Sequence, residues 1–329
     1  MNKKILITGG CGFIGSHTCV SLIENSYDIV IIDNLYNSKK NVIDRIQQIT
    51  NHKVIFYHLD LINVEQVFKE HKFDAVIHFA GLKAVGESIK KPLLYYNINI
   101  GITIKLLEMM QKYECNNLIF SSSATVYGNQ IPPFNETMNT GIDITNPYGK
   151  IKFMIEEMLK DIQIGNPKMN ITCLRYFNPV GSHKSGLIGE DPNDIPNNLM
   201  PIILKVANKD MSILKIFGND YNTKDCTCLR DYIHIDDLVK GHIKALNHLE
   251  GFKVYNLGTG NGISVLEIVN IFMKVNNIKI PYIFVERREG DLESVYCDPS
   301  LALKELNWKA EKGVEEMCRD SWRFIENYK

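Results

Sequence analysis

The stretch Lys4-Ile-Leu-Ile-Thr-Gly-Gly-Cys-Gly-Phe-Ile-Gly15 decides the fold of this chain. It opens with a short apolar run, typical of a buried strand, and continues through a glycine-rich turn into a helix. The glycines fit two overlapping patterns, Gly10/Gly12/Gly15 and Gly9/Gly12/Gly15. Glycine permits the tight turn and lets the backbone approach a pyrophosphate, which rests on the helix N-terminus. The stretch therefore predicts a strand–turn–helix unit that binds a dinucleotide.

The ends of the following strands supply further candidates for this site. Asp33 closes the second strand, 18 residues after Gly15. A carboxylate there accepts hydrogen bonds from the ribose hydroxyls of NAD and repels the 2′-phosphate of NADP. Asp60 and Leu61 follow the third strand, where they would meet the adenine, and segment 79–83 follows the fourth, where it would reach the middle of the cofactor. The pattern predicts NAD as the cofactor.

Short apolar runs alternate with longer helical patterns through the first half of the chain. Such alternation is typical of a parallel sheet covered on both faces. We therefore predict an α/β fold, a Rossmann-like doubly wound parallel sheet, with a smaller C-terminal α/β substrate domain. The predicted strands are 4–8, 28–33, 54–57, 74–79, 118–121 and 171–175, and the predicted helices are 13–24, 42–49, 64–70, 92–113 and one beginning near residue 147.

The texture of the sequence changes after about residue 180, where Gly, Pro, Asn and Asp form loop-like clusters. We expect residues 1–180 to form the cofactor domain and residues 181–329 the substrate domain, with a segment near 230–250 returning to the first. In this second region the predicted helices are 199–209, 235–249, 265–276 and 300–306, and the predicted strands are 254–257 and 280–285.

Composition narrows the classes of function. The 329 residues are 45% hydrophobic and 23% charged, with a net charge of −1, so no global field favours nucleic acid or an anionic membrane. Eight cysteines are scattered without a zinc-site spacing, which indicates reduced thiols, a cytoplasmic protein and no metal site. The apolar run at the N-terminus is too short for a signal peptide, and no run is long enough to span a bilayer.

A tyrosine and a lysine stand four residues apart in Asn146-Pro-Tyr-Gly-Lys-Ile-Lys152, at a predicted helix start. On a helix Tyr148 and Lys152 share one face, so we expect the cation and the helix N-terminus to lower the pKa of the phenol. Ser123 lies in a serine run after the fifth strand. Alone, the pair also fits a surface Tyr and Lys, and the serines fit a turn. Together they suit oxidation of an alcohol, with Tyr148 as base and hydride transfer to NAD.

Longer strings carry a resemblance that spans essentially the whole chain. The strings 78–88, 121–128, 174–181, 195–201, 230–234 and 287–292 resemble the UDP-glucose 4-epimerase family of the extended short-chain dehydrogenase/reductase superfamily. The resemblance implies that Tyr148 takes the proton of the sugar 4-hydroxyl while hydride moves from C4 to tightly bound NAD. The 4-keto sugar then turns and receives the hydride on its other face, so UDP-glucose and UDP-galactose interconvert. Ser123 would bond O4, and Lys152 would bridge the nicotinamide ribose.

The resemblance extends to the ligand contacts. Arg230 and Arg288 would grip the diphosphate, Asp291 the uridine ribose, and Asn178 the region between diphosphate and sugar. Ile216 and Phe217, with Tyr221, would flank the uracil. The cofactor contacts would be Gly9, Gly12, Phe13, Ile14, Gly15, Asp33, Asn34, Asn37, Ser38, Asp60, Leu61, Phe79, Ala80, Gly81, Lys83, Asn99, Ser123, Tyr148, Lys152 and Tyr176. The substrate contacts would be Lys83, Ser123, Tyr148, Phe177, Asn178, Asn198, Leu199, Ile216, Phe217, Tyr221, Arg230, Arg288, Asp291 and Val295.

One departure from the family pattern bears on specificity. Members restricted to glucose and galactose often carry a tyrosine where this chain has Val295, and smaller residues there are associated with room for an N-acetyl group. We therefore expect UDP-GlcNAc and UDP-GalNAc as additional substrates, although the adjacent Tyr296 could fill the space.

Other readings of the same fold are open. A nucleotide-sugar 4,6-dehydratase would need acidic residues where Ala124 and Thr125 stand. The remaining alternatives are a dehydrogenase that exchanges its cofactor and a catalytically silent NAD sensor. The helices near 92–113 and 148–164 have apolar faces, and the resemblance implies that such a pair forms the interface of a homodimer.

Overall fold

The structure, a computed structural model, describes residues 2–193, 196, 198–288 and 290–327. Of the strings singled out in the sequence, Ile195, Asn197 and Glu289 lie outside the described residues. The central feature is a parallel sheet in the order β11-β6-β5-β4-β1-β2-β3. Its strands are β1 (Lys4–Thr8), β2 (Asp28–Asp33), β3 (Ile55–His58), β4 (Ala75–His78), β5 (Asn117–Ser123), β6 (Asn170–Tyr176) and β11 (Phe252–Leu257). The predicted doubly wound fold is confirmed.

Helices cover both faces of this sheet because its strands are apolar on both sides. Two large apolar clusters, one on each face, contain the buried residues of the strands. The helices are α1 (Phe13–Glu24), α2 (Asn41–Thr50), α3 (Glu65–Glu70), α4 (Val85–Lys90), α5 (Pro92–Lys112), α6 (Pro147–Gly165), α7 (Leu199–Ala207), α8 (Ile235–Leu246), α9 (Val265–Asn276), α10 (Ser300–Leu306) and α11 (Val314–Asn327). Short 3-10 turns cover Leu61–Asn63 and Ala124–Tyr127.

The seventh strand of the sheet comes from late in the chain. The sequence placed residues 254–257 with the second region, and that placement is wrong, because β11 pairs in parallel with β6 from Phe252↔Ile171 to Leu257↔Tyr176. Just before it, α8 packs on α1, and both helices share one apolar cluster with the sheet. The chain thus leaves the sheet and returns to it, while the predicted domain boundary near residue 180 stays a prediction.

The rest of the second region is built from short strands over its own apolar cluster. Strand β8 (Leu214–Phe217) pairs in parallel with β13 (Tyr282–Val285), and β7 (Asn178–Val180) pairs in parallel with β10 (Tyr232–His234). Strand β9 (Leu229–Arg230) lies between β12 (Ile263–Ser264) and β14 (Ser294–Val295). Strand β7 follows directly on β6, so this region begins at the carboxyl ends of the central strands.

Helix predictions fared best where local signals were strong. The bounds of α1, α9 and α10 are those predicted. Ser264 closes a capping box at the start of α9, which explains that sharp boundary. Helices α4 and α11 were missed. The period of apolar residues in α11, with Met317, Cys318 and Phe324 buried, was a signal available in the sequence.

Candidate active site

The glycine turn leaves no room for side chains. A Cβ added at Gly9 would lie 2.8 Å from the backbone nitrogen of Ala80, and one added at Gly15 would lie 2.3 Å from the carbonyl oxygen of Gly9. Gly9 also has φ +71°, a conformation that favours glycine. Gly12 is the N-cap of helix α1 and provides no side-chain cap. The first turn of the helix, which lies in the described part of the chain, holds no acidic residue. Its first N–H groups therefore remain for an anionic ligand, as a pyrophosphate requires.

Asp33 is held at the tip of β2 by its neighbours. Its Oδ2 accepts from the Cys11 N–H at 2.9 Å, and its Oδ1 accepts from the Leu35 N–H at 2.8 Å and the Ser38 hydroxyl at 2.9 Å. A carboxylate oxygen has two acceptor positions, so among the described residues one position remains on Oδ2. That position fits a ribose hydroxyl, which supports Asp33 as the residue that selects NAD.

The predicted adenine side is a set of mutually bonded polar residues. Asn34 donates to the Asp60 carboxylate at 3.0 Å. Asn37 accepts from the Asn193 N–H at 2.8 Å, so the segment before α7 lies against this loop. Leu61 belongs to an apolar cluster of the sheet. The structure therefore brings the loops after β2 and β3 together, as predicted.

Asn99 and Lys83 connect the loop after β4 to α5 and to Glu190. The Asn99 side chain accepts from the Leu82 N–H at 2.7 Å and donates to the Leu82 carbonyl at 3.0 Å. Lys83 contacts the Glu190 carboxylate at 3.2 Å, and Asn198 donates to the same oxygen at 2.8 Å. Glu190, which the sequence analysis did not single out, thus links predicted cofactor and substrate residues.

Tyr148 occupies the first turn of α6, as predicted. Asn146 caps the helix by accepting from the Gly149 N–H at 2.9 Å, and Pro147 is its first residue. The Tyr148 N–H donates to the Ser88 hydroxyl on α4 at 3.2 Å. Helix α4, missed in the sequence, therefore helps to hold the phenol over the end of β5.

The predicted lowering of the Tyr148 pKa is contradicted by the burial of the phenol. Burial raises the pKa of Tyr148 to about 12, and the hydrogen bond to Ser123 lowers it by less. Removing water from around the phenol outweighs the favourable neighbours because phenolate is the charged form. Ser123 also accepts from the Thr125 hydroxyl at 3.0 Å, which orients it.

Lys152 lies one turn further along α6, beneath the phenol. Its Nζ donates to the Ser121 carbonyl at 2.6 Å and lies 4.7 Å from the centre of the Phe120 ring and 5.7 Å from that of Tyr148. Burial lowers the pKa of Lys152 to about 8, while Glu156 and Cys173 act in the opposite direction. The structure thus brings together the tyrosine, serine and lysine predicted from the sequence.

Buried aromatic and histidine side chains pack together at the ends of β4 and β6, next to these residues. The Tyr176 hydroxyl and His242 Nε2 are 2.5 Å apart, and the His242 ring lies 5.2 Å from that of Phe79. His78, at the end of β4, is buried, with its two ring nitrogens within 2.7 Å of the Thr8 hydroxyl and 3.0 Å of the Thr103 hydroxyl. These contacts describe a packed core histidine.

The predicted sugar pocket is bordered by an aromatic cluster. Phe177 is buried with Tyr127 and Phe134, and Val295 packs against this cluster. Val295 pairs with Arg230 in register, and the Asn178 N–H donates to the Asp231 carbonyl at 2.9 Å.

Tyr296 is turned away from this pocket. A Cβ added at Gly262 would lie 3.2 Å from Tyr296 Cδ1, so its ring covers Gly262. The side chain that could have filled the space beside Val295 is thus held elsewhere in this structure.

The two arginines predicted to bind the diphosphate share one carboxylate, that of Asp291. Arg288 makes two hydrogen bonds to the Asp291 carboxylate, at 3.1 Å and 2.8 Å, and Arg230 lies 3.6 Å from it. Arg230 also donates to the carbonyls of Leu229 and Leu292. In this structure the predicted phosphate donors and the predicted ribose acceptor form a single cluster.

The predicted uracil residues divide between core and surface. The Ile216 side chain is buried in the third apolar cluster, whereas Phe217 on the opposite face of β8 is exposed. Tyr221 is buried, its hydroxyl has no partner among the described residues, and Arg287 lies 4.0 Å from the centre of its ring. Leu199 packs at the edge of the same cluster.

Two buried carboxylates near the site were missed. Asp231 accepts from the N–H groups of Thr259, Gly260 and Cys297 and so holds the loops beside β9 and β14. Glu156 is buried on α6 against Arg175. Signals were present, since Asp231 follows Arg230 and Glu156 stands four residues after Lys152 on the same helix face.

The described residues offer neither a metal site nor a membrane-spanning helix. No group of three or more His, Cys, Asp or Glu side chains there could hold a metal ion. None of the helices in the described part of the chain is both long and apolar enough to cross a membrane.

Known proteins resemble this chain over nearly its whole length. The model of the NAD dependent epimerase/dehydratase family matches residues 5–258. A UDP-glucose 4-epimerase from Bos taurus is 52% identical over 337 residues, which cover 98% of this chain and 97% of the relative.

Solved structures show the same likeness. UDP-glucose 4-epimerase from Bifidobacterium longum, in complex with NAD+ and UDP, has a TM-score of 0.96 and 46% identity over 99% of this chain and 98% of that one. A UDP-Glc/GlcNAc 4-epimerase from Campylobacter jejuni has a TM-score of 0.85 and 34% identity over 99% of this chain and 100% of that one.

Proposed function

The chain belongs to the NAD dependent epimerase/dehydratase family, and we propose that it interconverts UDP-glucose and UDP-galactose through a 4-keto intermediate, with Tyr148 as the base. One observation carries the proposal. Tyr148, Ser123 and Lys152 converge at the carboxyl end of β5, beside a glycine turn and an aspartate that fit NAD. NAD, when bound, supplies the acceptor and donor of hydride.

The chain's own residues handle the proton of the sugar 4-hydroxyl. Burial favours the neutral phenol, so the phenolate that acts as the base needs positive charge beside it. Lys152, 5.7 Å from the ring, is the chain's own source of that charge. Ser123, bonded to the phenol, would hold O4 beside it, and Lys152 would also hold the nicotinamide ribose. The same phenol returns the proton after the keto sugar has turned.

The two ligands are assigned to the two regions of the chain. We assign NAD to residues 1–180 with the returning segment, through the contacts predicted from Gly9 to Tyr176. We assign the UDP-sugar to residues 181–329, where Arg230, Arg288 and Asp291 already lie together. The structure supports the epimerase over a 4,6-dehydratase, because Ala124 is apolar and the Thr125 hydroxyl is bonded to Ser123.

The test is product analysis with four UDP-sugars and no added nicotinamide. The purified enzyme should retain about one NAD and convert UDP-glucose and UDP-galactose in both directions without net NADH. A requirement for added NAD, or accumulation of a keto or dehydrated sugar, would contradict the proposal.

The N-acetyl pair belongs to a finer proposal. Val295 leaves more room beside the aromatic cluster than a tyrosine, and Tyr296 packs over Gly262 instead. The similar enzyme from Campylobacter jejuni is described as acting on UDP-Glc and GlcNAc. We therefore propose that this chain also interconverts UDP-GlcNAc and UDP-GalNAc. In the same assay Val295→Tyr should lose the N-acetyl activity and keep the glucose activity, and Val295→Ile serves as the control. Equal loss of both activities would contradict this role.

Assembly and location are proposals as well. Helices α5 and α6 pack together and leave Leu93, Ile104 and Met154 exposed, a surface that fits a homodimer. Light scattering of wild type and of Ile104→Glu tests this, since the substitution should yield monomers. All eight cysteines are free thiols, which fits the reducing cytoplasm. Fractionation of the source cells with a cytoplasmic marker tests the location.

A further inference from the structure

Three serines at the end of β5 meet three successive turns of α6. Tyr148, Lys152 and Glu156 stand at i, i+4 and i+8, so they share one face of the helix. Ser123 bonds the Tyr148 phenol, the Ser121 carbonyl accepts from Lys152 at 2.6 Å, and the Ser122 hydroxyl donates to Glu156. The serine run therefore aligns the helix with the strand at each of these turns.

The third turn ends on a buried ion pair. Arg175 donates from Nε to Glu156 Oε1 at 3.1 Å and from Nη2 to Oε2 at 2.7 Å. Both side chains are at most 5% exposed. Arg175 is the register partner of Ser122 in the sheet, and it also donates to the Tyr127 hydroxyl at 2.9 Å. Two parallel bonds in a dry site fix the Glu156 carboxylate firmly.

We propose that Glu156, held by Arg175 and Ser122, is a positioning residue for the Tyr148–Lys152 pair: it sets the register of α6 on β5 and supplies the negative charge that keeps Lys152 protonated. The inference rests on the proposed function for its meaning, since Lys152 must carry charge to favour the phenolate. A buried ion pair is costly to keep for stability alone, because apolar residues of similar size often serve as well.

The groups around Lys152 make Glu156 the decisive one. Tyr148 shares its face of α6, Cys173 faces it from β6, and His78 faces it from β4. The pKa of His78 is lowered to about 3 and that of Cys173 is well above its usual value, so both are neutral near pH 7. Arg175 carries positive charge, so it does not favour a charged Lys152. Glu156 is therefore the anionic side chain that offsets the burial of Lys152.

The experiment compares Glu156→Gln with Glu157→Gln. The first keeps the size of the side chain and removes its charge, while the second removes one charge from the exposed neighbour on the same helix. In Glu156→Gln the basic limb of the kcat profile should move to lower pH by about one unit, with KM for the UDP-sugar unchanged. Glu157→Gln should match wild type. Glu156→Asp, which keeps the charge, should restore most of the shift.

A second readout is independent of activity. In protein labelled with 15N-lysine, the Lys152 side-chain amine, assigned with Lys152→Met, should titrate at lower pH in Glu156→Gln without any sugar present. The double variant Glu156→Gln/Arg175→Met removes both buried charges and so leaves no unpaired ion. It should still titrate at lower pH than wild type.

The outcomes separate the two roles. A wild-type Lys152 midpoint in Glu156→Gln or in the double variant, with only lower thermal stability, overturns the proposal and leaves Glu156 as a structural residue. If the wild-type enzyme fails to epimerise UDP-sugars, the proposed function fails, while the Lys152 titration still decides the electrostatic role of Glu156.

Discussion

The predicted cofactor site and the predicted nucleotide-sugar site, called here the cofactor half and the sugar half, hold their polar groups in different ways. On the predicted cofactor side, Gly9 and Asp33 stand at the ends of central strands and Gly15 lies in the first turn of α1. The first main-chain N–H groups of α1 and one acceptor position of Asp33 remain for a ligand. On the nucleotide-sugar side, Arg230 and Arg288 stand on or beside two-residue strands and loops and are bound to Asp291.

This difference says how each half would respond to its ligand. The cofactor half is preformed, since its geometry is set by backbone that the sheet holds rigid. The sugar half satisfies its own charges, so a diphosphate must compete with Asp291 for the two arginines. We therefore expect tight, slow exchange of NAD and faster exchange of the UDP-sugar, with the chemistry at the junction between the halves.

The largest effect should come from the junction itself. Tyr148→Phe removes the hydroxyl that exchanges the proton while it keeps the ring, so kcat should fall by about 10³-fold or more. NAD content and the Kd for UDP should remain close to wild type, measured by absorbance after release of the cofactor and by calorimetry. Activity within tenfold of wild type would assign the base to another group.

Gly15→Ala should break the cofactor half alone. The new Cβ would lie 2.3 Å from the Gly9 carbonyl oxygen, so the turn must open and the retained NAD should fall by roughly tenfold or more. Gly101→Ala is the matched control. Gly101 lies in α5 with open space around its Cβ position, so alanine should stabilise the helix by about 0.5–1 kcal/mol. Equal NAD content in the two variants would mean that the turn tolerates side chains.

Acid should weaken the half built on the central sheet. Burial lowers the pKa of His17 to about 4, of His78 to about 3 and of His242 to about 4. The unfolded chain therefore takes up protons below pH 6.5 that the folded chain does not, and the stability present above that pH is lost as the pH falls. Between pH 6.5 and 5 the free energy of unfolding should drop by about 5 kcal/mol.

Urea unfolding at several pH values measures this loss. His78→Asn should reduce the pH dependence, whereas the exposed His52 provides a control in His52→Asn. An unchanged free energy of unfolding between pH 6.5 and 5 would show that these histidines find protons in the folded state.

A smaller effect should separate the sugar half. Asp291→Asn weakens the two hydrogen bonds from Arg288 and removes the acceptor proposed for the uridine ribose. KM for UDP-glucose should therefore change by about 10-fold while NAD content stays constant. A rise in KM would mean that the lost ribose contact dominates, and a fall would mean that freeing the arginines does. Asp161→Asn, on the far end of α6, is the control, and no change relative to it would remove Asp291 from the site.

The sequence predicted best what local pattern determines. The bounds of α1, the capped start of α6 and the meeting of Ser123, Tyr148 and Lys152 follow from glycine, Asn-Pro and strand-end rules. Two features depended on contacts far along the chain. The place of β11 in the sheet required its pairing with β6, and the pKa of Tyr148 required knowing how deeply it is buried. Two-residue strands such as β9 and β14 carry no period that a sequence pattern can reveal.

The return of β11 to the sheet has a consequence for synthesis. The edge of β6 is covered by residues 252–257, which leave the ribosome only after most of the chain has been made. Until then a nascent chain holds a nearly complete sheet with one bare, apolar parallel edge, the kind of surface that pairs with neighbouring chains. The sheet of the first half is therefore completed only by the second half, and termination of translation before residue 257 should yield insoluble product rather than a smaller working domain.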